Sequence, residues 1–196
     1  LFGDEAQYWL WSKKIDFGYL SKPPLIAWII RFYTNIFGDS FGALKLIPII
    51  FYFFSSFVFF RLCRVLEMRK DLSYFATFTF LIMPAVSVSS FLISTDVFLL
   101  FFWLACMVMF LEIRKKPSTQ NFVVMGILLG LAFLSKYAAL YFFVCLVFNL
   151  IFDSETRYVF RSNKLKCLLC LFIFILVIFP NIAWNYNHQW TTLYHT

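Results

Sequence analysis

The fold is decided by one apolar run, LSYFATFTFLIMPAVSVSSFLISTDVFLLFFWLACMVMFLEI, which occupies residues 72–113. As a single helix this run would be ~63 Å long, twice the ~30 Å thickness of a bilayer's hydrocarbon core. Polar residues interrupt it near the middle, at Ser87, Ser89, Ser90, Ser94, Thr95 and Asp96. The run therefore predicts two membrane-spanning helices that are joined at this polar patch.

Three further apolar runs cover residues 46–60, 122–152 and 165–182. The 196-residue chain is 62% hydrophobic and 14% charged, and its mean hydropathy is +0.81. Soluble domains are ~45–50% apolar and ~25% charged, so a soluble domain is excluded, as are a disordered chain and a disulfide scaffold. The sequence predicts an all-α, polytopic membrane helix bundle.

The net charge is +7, and 11 of the 17 lysine and arginine residues lie in three basic clusters that separate the apolar runs. Clusters of this kind face the cytoplasm in membrane proteins, and their spacing is unlike the continuous basic surface of a nucleic-acid-binding protein. We therefore expect membrane lipids as partners and no nucleic acid. The clusters are Arg61, Arg64, Arg69 and Lys70; Arg114, Lys115 and Lys116; and Arg157, Arg161, Lys164 and Lys166.

Because all three clusters face the cytoplasm, each apolar run between two clusters must leave and return. Residues 122–152 form a run of ~46 Å, which is short for two crossings, and their break is predicted at Ser135 and Lys136. One long slanted helix is the alternative, and it would put the third basic cluster outside. The domain prediction is six transmembrane helices within residues 43–182, at 43–63, 72–91, 96–113, 121–134, 137–152 and 165–182.

Residues 1–42 are then predicted to form an extracytoplasmic loop with two interfacial helices, and residues 183–196 to begin another such loop. Asp4 is expected as the N-cap of a first helix that runs to about Lys14. A second helix is expected from Pro23-Pro24 to about Phe37, ended by Gly38. On this second helix a polar side (Ala27, Arg31, Thr34, Asn35) is predicted opposite an apolar side (Leu25, Trp28, Ile29, Phe32) that lies on the bilayer.

The predicted topology delivers ionisable residues from separate segments to one outer face, whereas the interiors of the crossings carry almost none. A face that mixes carboxylates and cations beside lipid suits a phosphate-bearing lipid substrate and a polar reactant. Structural explanations remain open, since Asp4 and Asp96 could cap helices and Lys22, Lys45 and Lys136 could reach lipid headgroups. The residues at this face include Asp4, Glu5, Lys22, Asp96, Lys136, His188 and His195.

Several motifs resemble those of bacterial GT-C glycosyltransferases, in the group related to protein O-mannosyltransferases and the aminoarabinose transferase that acts on lipid A. They lie in DEAQYW at residues 4–9 and GYLSKPPLIAW at residues 18–28, whose specific parts are the acidic pair Asp4-Glu5 and the KPPL of residues 22–25. Weaker agreement comes from IFGDS at 36–40, STD at 94–96, GLAFLSKY at 130–137, PNIAWN at 180–185 and HT at 195–196.

The resemblance implies an inverting glycosyltransferase that moves a sugar from a polyprenyl-phosphate donor to a lipid, lipopolysaccharide or protein acceptor. It places the active site of an integral membrane protein on the periplasmic or exterior side. It also implies a crossing before the acidic pair and further crossings after residue 196. A non-catalytic transporter or flippase of lipid-linked sugars is the alternative function.

Carried onto this chain, the resemblance makes Asp4 the general base that takes the proton from the acceptor hydroxyl. Glu5 shapes the same site, and Asp96 orients the sugar or the acceptor. The donor phosphate is assigned to Lys22 and Lys136, with Lys45 as a weaker assignment because relatives often have arginine there.

A metal site is implied only for some relatives, in which a glutamate before the Lys-Pro-Pro motif joins a histidine as ligand. This chain has Ser21 at that position, so His195 lacks its carboxylate partner. We therefore expect no required metal, no certain cofactor and no aminoarabinose transfer. Cys167 and Cys170 form a C-x-x-C motif without further ligands nearby, and we expect them to act as small apolar residues.

Overall fold

The structure, a computed structural model, describes residues 3–194, and that part of the chain is helical with no strand. The predicted all-α fold class is therefore confirmed. The helices are α1 (Gly3–Lys13), α2 (Leu25–Phe37), α3 (Phe41–Val65), α4 (Lys70–Ile82), α5 (Pro84–Ser89), α6 (Thr95–Lys115), α7 (Thr119–Ser135), a 3₁₀ turn (Tyr137–Leu140), α8 (Tyr141–Phe152), α9 (Ser154–Ser162), α10 (Lys164–Asn187) and α11 (Thr191–Tyr194).

Three helices among the described residues, α3, α6 and α10, are each long and apolar enough to cross a membrane. The chain is an integral membrane protein. Helix α7 is apolar but has only 17 residues, and α8 turns by 106° into the short helix α9. Five of the six predicted crossings coincide with one continuous helical segment each, the sixth, at 72–91, is broken, and their number in the membrane stays a prediction.

The centre of the bundle is the packing of α7 between α6 and α10. Two glycines on α7 allow α10 to come close. A methyl group on Gly130 would lie 2.6 Å from Val177 Cγ1, and one on Gly126 would lie 2.5 Å from the Cys170 carbonyl oxygen. Small residues at a helix crossing permit this close approach of backbones in membrane proteins.

Helices α1 and α2 cover one end of the bundle. They pack on each other, and α2 also packs against α3 and α7. Tyr8 and Ile26 belong to a buried cluster with Leu44 of α3 and Phe98 of α6. We call this end, which also carries Lys45, Asp96 and Lys136, the site end; the opposite end carries the three basic clusters and is called the basic end.

Helix α2 confirms the predicted bounds, but its predicted polar side was only partly right. It ends at Gly38, whose φ is +80° and whose N–H bonds the Thr34 carbonyl oxygen. Ala27 and Thr34, which were assigned to the polar side, are buried, whereas Arg31 and Asn35 are exposed as predicted. The period of a helix gives its two sides, but which side the neighbouring helices cover depends on tertiary packing.

Two further differences concern helix bounds. The segment predicted as one crossing at 72–91 is broken at Met83 into α4 and α5, because Pro84 lacks an N–H and cannot continue the helix. Helix α9 was not predicted. Asp153 caps it, accepting a hydrogen bond from the backbone N–H of Glu155, and the resulting bend separates α8 from α10.

Candidate active site

Helix α1 presents two consecutive carboxylates to different surroundings. Asp4 is exposed, whereas Glu5 is only 2% exposed. Adjacent residues on an α-helix point ~100° apart, so one can face outward while the next faces the bundle. Because α1 begins at Gly3, Asp4 lies inside its first turn, and the prediction of Asp4 as N-cap was wrong.

Glu5 joins three segments of the chain. Lys45 Nζ of α3 donates to both carboxylate oxygens, at 2.6 and 2.8 Å. The backbone N–H of Ile93, between α5 and α6, donates to Glu5 Oε1 at 2.9 Å. Lys45 Nζ also donates to the carbonyl oxygen of Phe91 at 2.9 Å. Glu5 and Lys45 therefore tie α1, α3 and the 91–93 segment together.

Asp96 and Lys136 form a second ion pair at the same end. Lys136 Nζ lies 2.7 Å from Asp96 Oδ1, and the side chains are 30% and 62% exposed, respectively. Ser94 precedes the helix as its N-cap residue and Asp96 sits in the first turn of α6, so the prediction of Asp96 as N-cap was wrong. Lys136 directly follows α7, at the predicted break after Ser135. The pair joins two segments that are 40 residues apart.

The buried Tyr8 hydroxyl is subject to the negative charges of both Asp4 and Asp96. Burial, together with these two charges, raises the pKa of this hydroxyl to about 12. Both carboxylates must therefore lie within electrostatic range of one phenol. This hydroxyl stays protonated at neutral pH and can only donate or accept a hydrogen bond there.

Asp96 also lines an open pocket of about 410 Å³ between α3, α5 and α6. Its walls are mostly apolar, and its polar groups come from Tyr52, Ser89 and Asp96. A pocket with this lining can accept a molecule that has both a polar head and an apolar chain. The remaining lining residues are Ala85, Val86, Leu99, Leu100 and Trp103.

Lys22 stands apart from these pairs. It is half-buried and makes no hydrogen bond or ion pair with another described residue. The loop that carries it is nevertheless fixed, because Asn181 Nδ2 donates to the Phe17 carbonyl oxygen at 2.7 Å and Thr192 Oγ1 donates to that of Tyr19 at 2.6 Å. Lys22 is thus a cation that the described residues leave available.

A buried polar network holds that loop and was missed in the sequence. Asn181 and Asn185 are 1% and 2% exposed on α10. The Tyr137 hydroxyl donates to Asn181 Oδ1, and Asn185 Nδ2 donates to the Tyr137 hydroxyl, both at 3.1 Å. The spacing of the two asparagines could have predicted this network, because residues four positions apart in a helix lie on the same face.

Among the described residues, no group of three or more histidine, cysteine, aspartate or glutamate side chains could hold a metal ion. His195, considered above as a ligand, lies outside the described residues. His188 stacks on Trp184 with 3.9 Å between ring centroids. Cys167 and Cys170 are partly buried against the core cluster of α6, α7 and α10.

Three relationships join the predicted site residues. Glu5 pairs with Lys45, Asp96 pairs with Lys136, and Asp4 and Asp96 act on the same Tyr8 hydroxyl. Lys22 contacts none of the other five among the described residues. This end of the bundle therefore combines an exposed carboxylate, an ion pair beside an open pocket and a free ammonium group.

Comparison with known proteins gives a family match over most of the chain. The sequence pattern of a family described as dolichyl-phosphate-mannose-protein mannosyltransferase matches residues 21–184. No solved structure matches the chain.

Two curated proteins of Rhizobium johnstonii are similar to it. The lipid A galacturonosyltransferase RgtD is 33% identical over 196 residues, which is 100% of this chain and 40% of that protein. The lipopolysaccharide core galacturonosyltransferase RgtA is 24% identical over 192 residues, covering 92% of this chain and 36% of that protein. The chain thus spans less than half the length of these relatives.

Proposed function

Because this chain belongs to the dolichyl-phosphate-mannose-protein mannosyltransferase family, we propose that its protein transfers a sugar from a polyprenyl-phosphate donor to lipid A or the lipopolysaccharide core. The names of the two relatives support this acceptor and support galacturonic acid as the sugar. The family description supports a polyprenyl phosphate as the carrier. The site end faces the periplasm in this proposal, since the three basic clusters lie at the opposite end.

One observation carries the proposal: Asp4 is an exposed carboxylate with no ion-pair partner among the described residues, and the same end of the bundle holds Lys136, paired with Asp96, as a positive charge. A glycosyl transfer needs a base for the acceptor hydroxyl and a cation for the leaving phosphate. Both kinds of group occur at the site end, and Asp96, the partner of Lys136, lines an open pocket with mostly apolar walls.

The proposed step uses Asp4 as general base. Asp4 takes the proton of the acceptor hydroxyl while that oxygen attacks the anomeric carbon from the side opposite the phosphate. The new glycosidic bond forms as the bond between the anomeric carbon and the phosphate oxygen breaks, so the configuration inverts. The released polyprenyl phosphate keeps the bonding electrons and its additional negative charge.

Lys22 and Lys136 are proposed to stabilise the charge on that phosphate. Lys22 has no competing partner among the described residues, and Lys136 is held by Asp96 close to the pocket. Preorganised cations act most strongly where charge develops in the transition state. Asp96 orients Lys136 and the sugar.

The test incubates the complete protein in lipid nanodiscs with polyprenyl-phosphate galacturonic acid and lipid A. The expected result is free polyprenyl phosphate together with a lipid A product whose mass has increased by one uronic acid. Polyprenyl-phosphate mannose and aminoarabinose, with lipopolysaccharide core as second acceptor, form the comparison panel. Movement of the intact donor across the membrane without release of carrier phosphate would instead establish a transporter.

A further inference from the structure

We propose that the ion pair between Glu5 and Lys45 is a brace that fixes Asp4 relative to Asp96. Lys45 then acts as a positioning residue and does not bind the donor phosphate. This inference rests on the proposed function for its catalytic meaning. The contacts that define the brace are independent of any substrate.

The hydrogen bonds of Lys45 account for its whole donor capacity. An ammonium group has three N–H donors and no acceptor. Lys45 Nζ lies within hydrogen-bond distance of three oxygens, at 2.6 and 2.8 Å from Glu5 and at 2.9 Å from the Phe91 carbonyl. Binding a phosphate would require it to give up one of these contacts.

The brace is attached to both carboxylates of the site by short lengths of backbone. Glu5 is bonded directly to Asp4. The Ile93 N–H, which donates to Glu5 Oε1 at 2.9 Å, lies only three residues before Asp96. A shift of Glu5 would therefore be transmitted to Asp4 at once and to Asp96 through the start of α6.

Burial makes this pair different from an ordinary surface ion pair. The Glu5 side chain is 2% exposed and that of Lys45 is 19% exposed. A charge at such a depth that loses its partner is strongly unfavourable, whereas removing both charges together is far better tolerated. Two single variants and their double variant can therefore separate positioning from phosphate binding.

The experiment compares Glu5→Gln, Lys45→Met and the double variant in the complete protein in nanodiscs. If the pair is a brace, each single variant lowers kcat ~100-fold, the loss expected from a displacement of about 1 Å at the reacting groups. The KM for the polyprenyl-phosphate donor stays within about threefold, and the double variant loses no more activity than either single variant, because all three variants lack the same contact. Lys14→Met, which removes an exposed lysine from the same end, is the control and keeps wild-type kinetics.

A different result identifies Lys45 as a phosphate ligand and overturns the brace. In that case Lys45→Met raises the donor KM with little change in kcat, and the effects of Glu5→Gln and Lys45→Met add in the double variant. Lys45→Arg gives a further check, because a conservative cation should keep the contact with Glu5 and most of the activity. If Lys45→Met elutes as aggregate, Lys45→Arg takes its place in the comparison.

Hydrogen exchange provides a readout that does not depend on transfer. In Lys45→Met and in the double variant, exchange at residues 90–94 and in α1 should become faster than in the wild-type protein. Unchanged exchange in both single variants overturns the brace. If the wild-type protein transfers no sugar, the proposed function fails, and exchange alone then decides whether the brace exists.

Discussion

The acidic residues at the two ends of the bundle differ in whether they form ion pairs. At the basic end, each acidic residue is held by an arginine or lysine. At the site end, Asp4 makes no ion pair with another described residue, and Lys22 makes none either. The pairs at the basic end are Arg61–Glu112, Lys115–Glu67, Arg69–Asp71, Arg114–Asp153 and Arg114–Glu155.

This difference separates structural ion pairs from groups that remain available for chemistry. Pairs at the basic end mostly link neighbouring helix ends and are largely exposed; in one of them the Lys115 ammonium holds the pKa of the Glu67 carboxyl below its usual value. A carboxylate held in this way is a poor base, because its partner stabilises the ionised form. The exposed Asp4 has no such partner among the described residues, which supports its proposed role as the base.

The largest expected effect tests that assignment. Asp4→Asn keeps the shape of the side chain but removes its ability to accept a proton, so we expect kcat to fall ~10²–10⁴-fold. Donor binding, measured by displacement of a labelled polyprenyl phosphate, should stay unchanged. The matched control is Glu67→Gln at the basic end, which should leave transfer within about twofold of wild type. Full activity in Asp4→Asn would remove Asp4 from the mechanism.

The next effect concerns the cations of the two ends. Lys22→Met and Lys136→Met should each lower kcat/KM for the lipid donor ~10–100-fold, the range for losing one hydrogen bond to a charged group. Lys115→Met, at the basic end, should not change it. Initial rates over a range of donor concentrations provide the measurement, and equal kinetics in all three variants would contradict the division between the ends.

Local signals in the sequence predicted much of what positions these groups. Helix α2 ends at Gly38, as expected because glycine often terminates helices. Helix α7 ends at Ser135, and Lys136 has extended backbone, as expected from the polar residues that interrupt the apolar run there. The gathering of Asp4, Asp96 and Lys136 at one end followed from topology, because the charges had to meet where the helices begin and end. This part of the site depends on the order of the apolar runs.

Tertiary pairing could not be predicted in the same way. The contact of Glu5 with Lys45 joins residues 40 positions apart, and no periodic pattern specifies such a partner. The burial of Ala27 and Thr34 on α2 was missed for the same reason. Helix α4 ends at Met83, just before Pro84. The proline could have predicted this break, but the crossing was assigned from the length of the apolar run.

A substitution near the middle of the bundle tests whether lower stability alone can change the kinetics of transfer. Gly130→Val places a side chain against Val177, where a first methyl group would already be 2.6 Å away. Overpacking of this kind costs ~1–3 kcal/mol in folding free energy. Thermal unfolding should therefore shift downward, while the donor KM of the protein that stays folded should be unchanged. A changed KM at normal stability would link the α7–α10 contact to the site.

The smallest expected effect lies in the ion pairs of the basic end. Arg61 and Glu112 are 65% and 28% exposed and 2.8 Å apart. Such a pair contributes ~0.2–1 kcal/mol, because water and salt screen it. Arg61→Met, Glu112→Gln and the double variant should therefore unfold close to the wild-type temperature, with a coupling that fades at high salt and with unaltered transfer. A strong coupling that persists at high salt, accompanied by a loss of transfer, would show that the two ends are energetically connected, and the ion pairs of the basic end would then belong to the catalytic machinery as well.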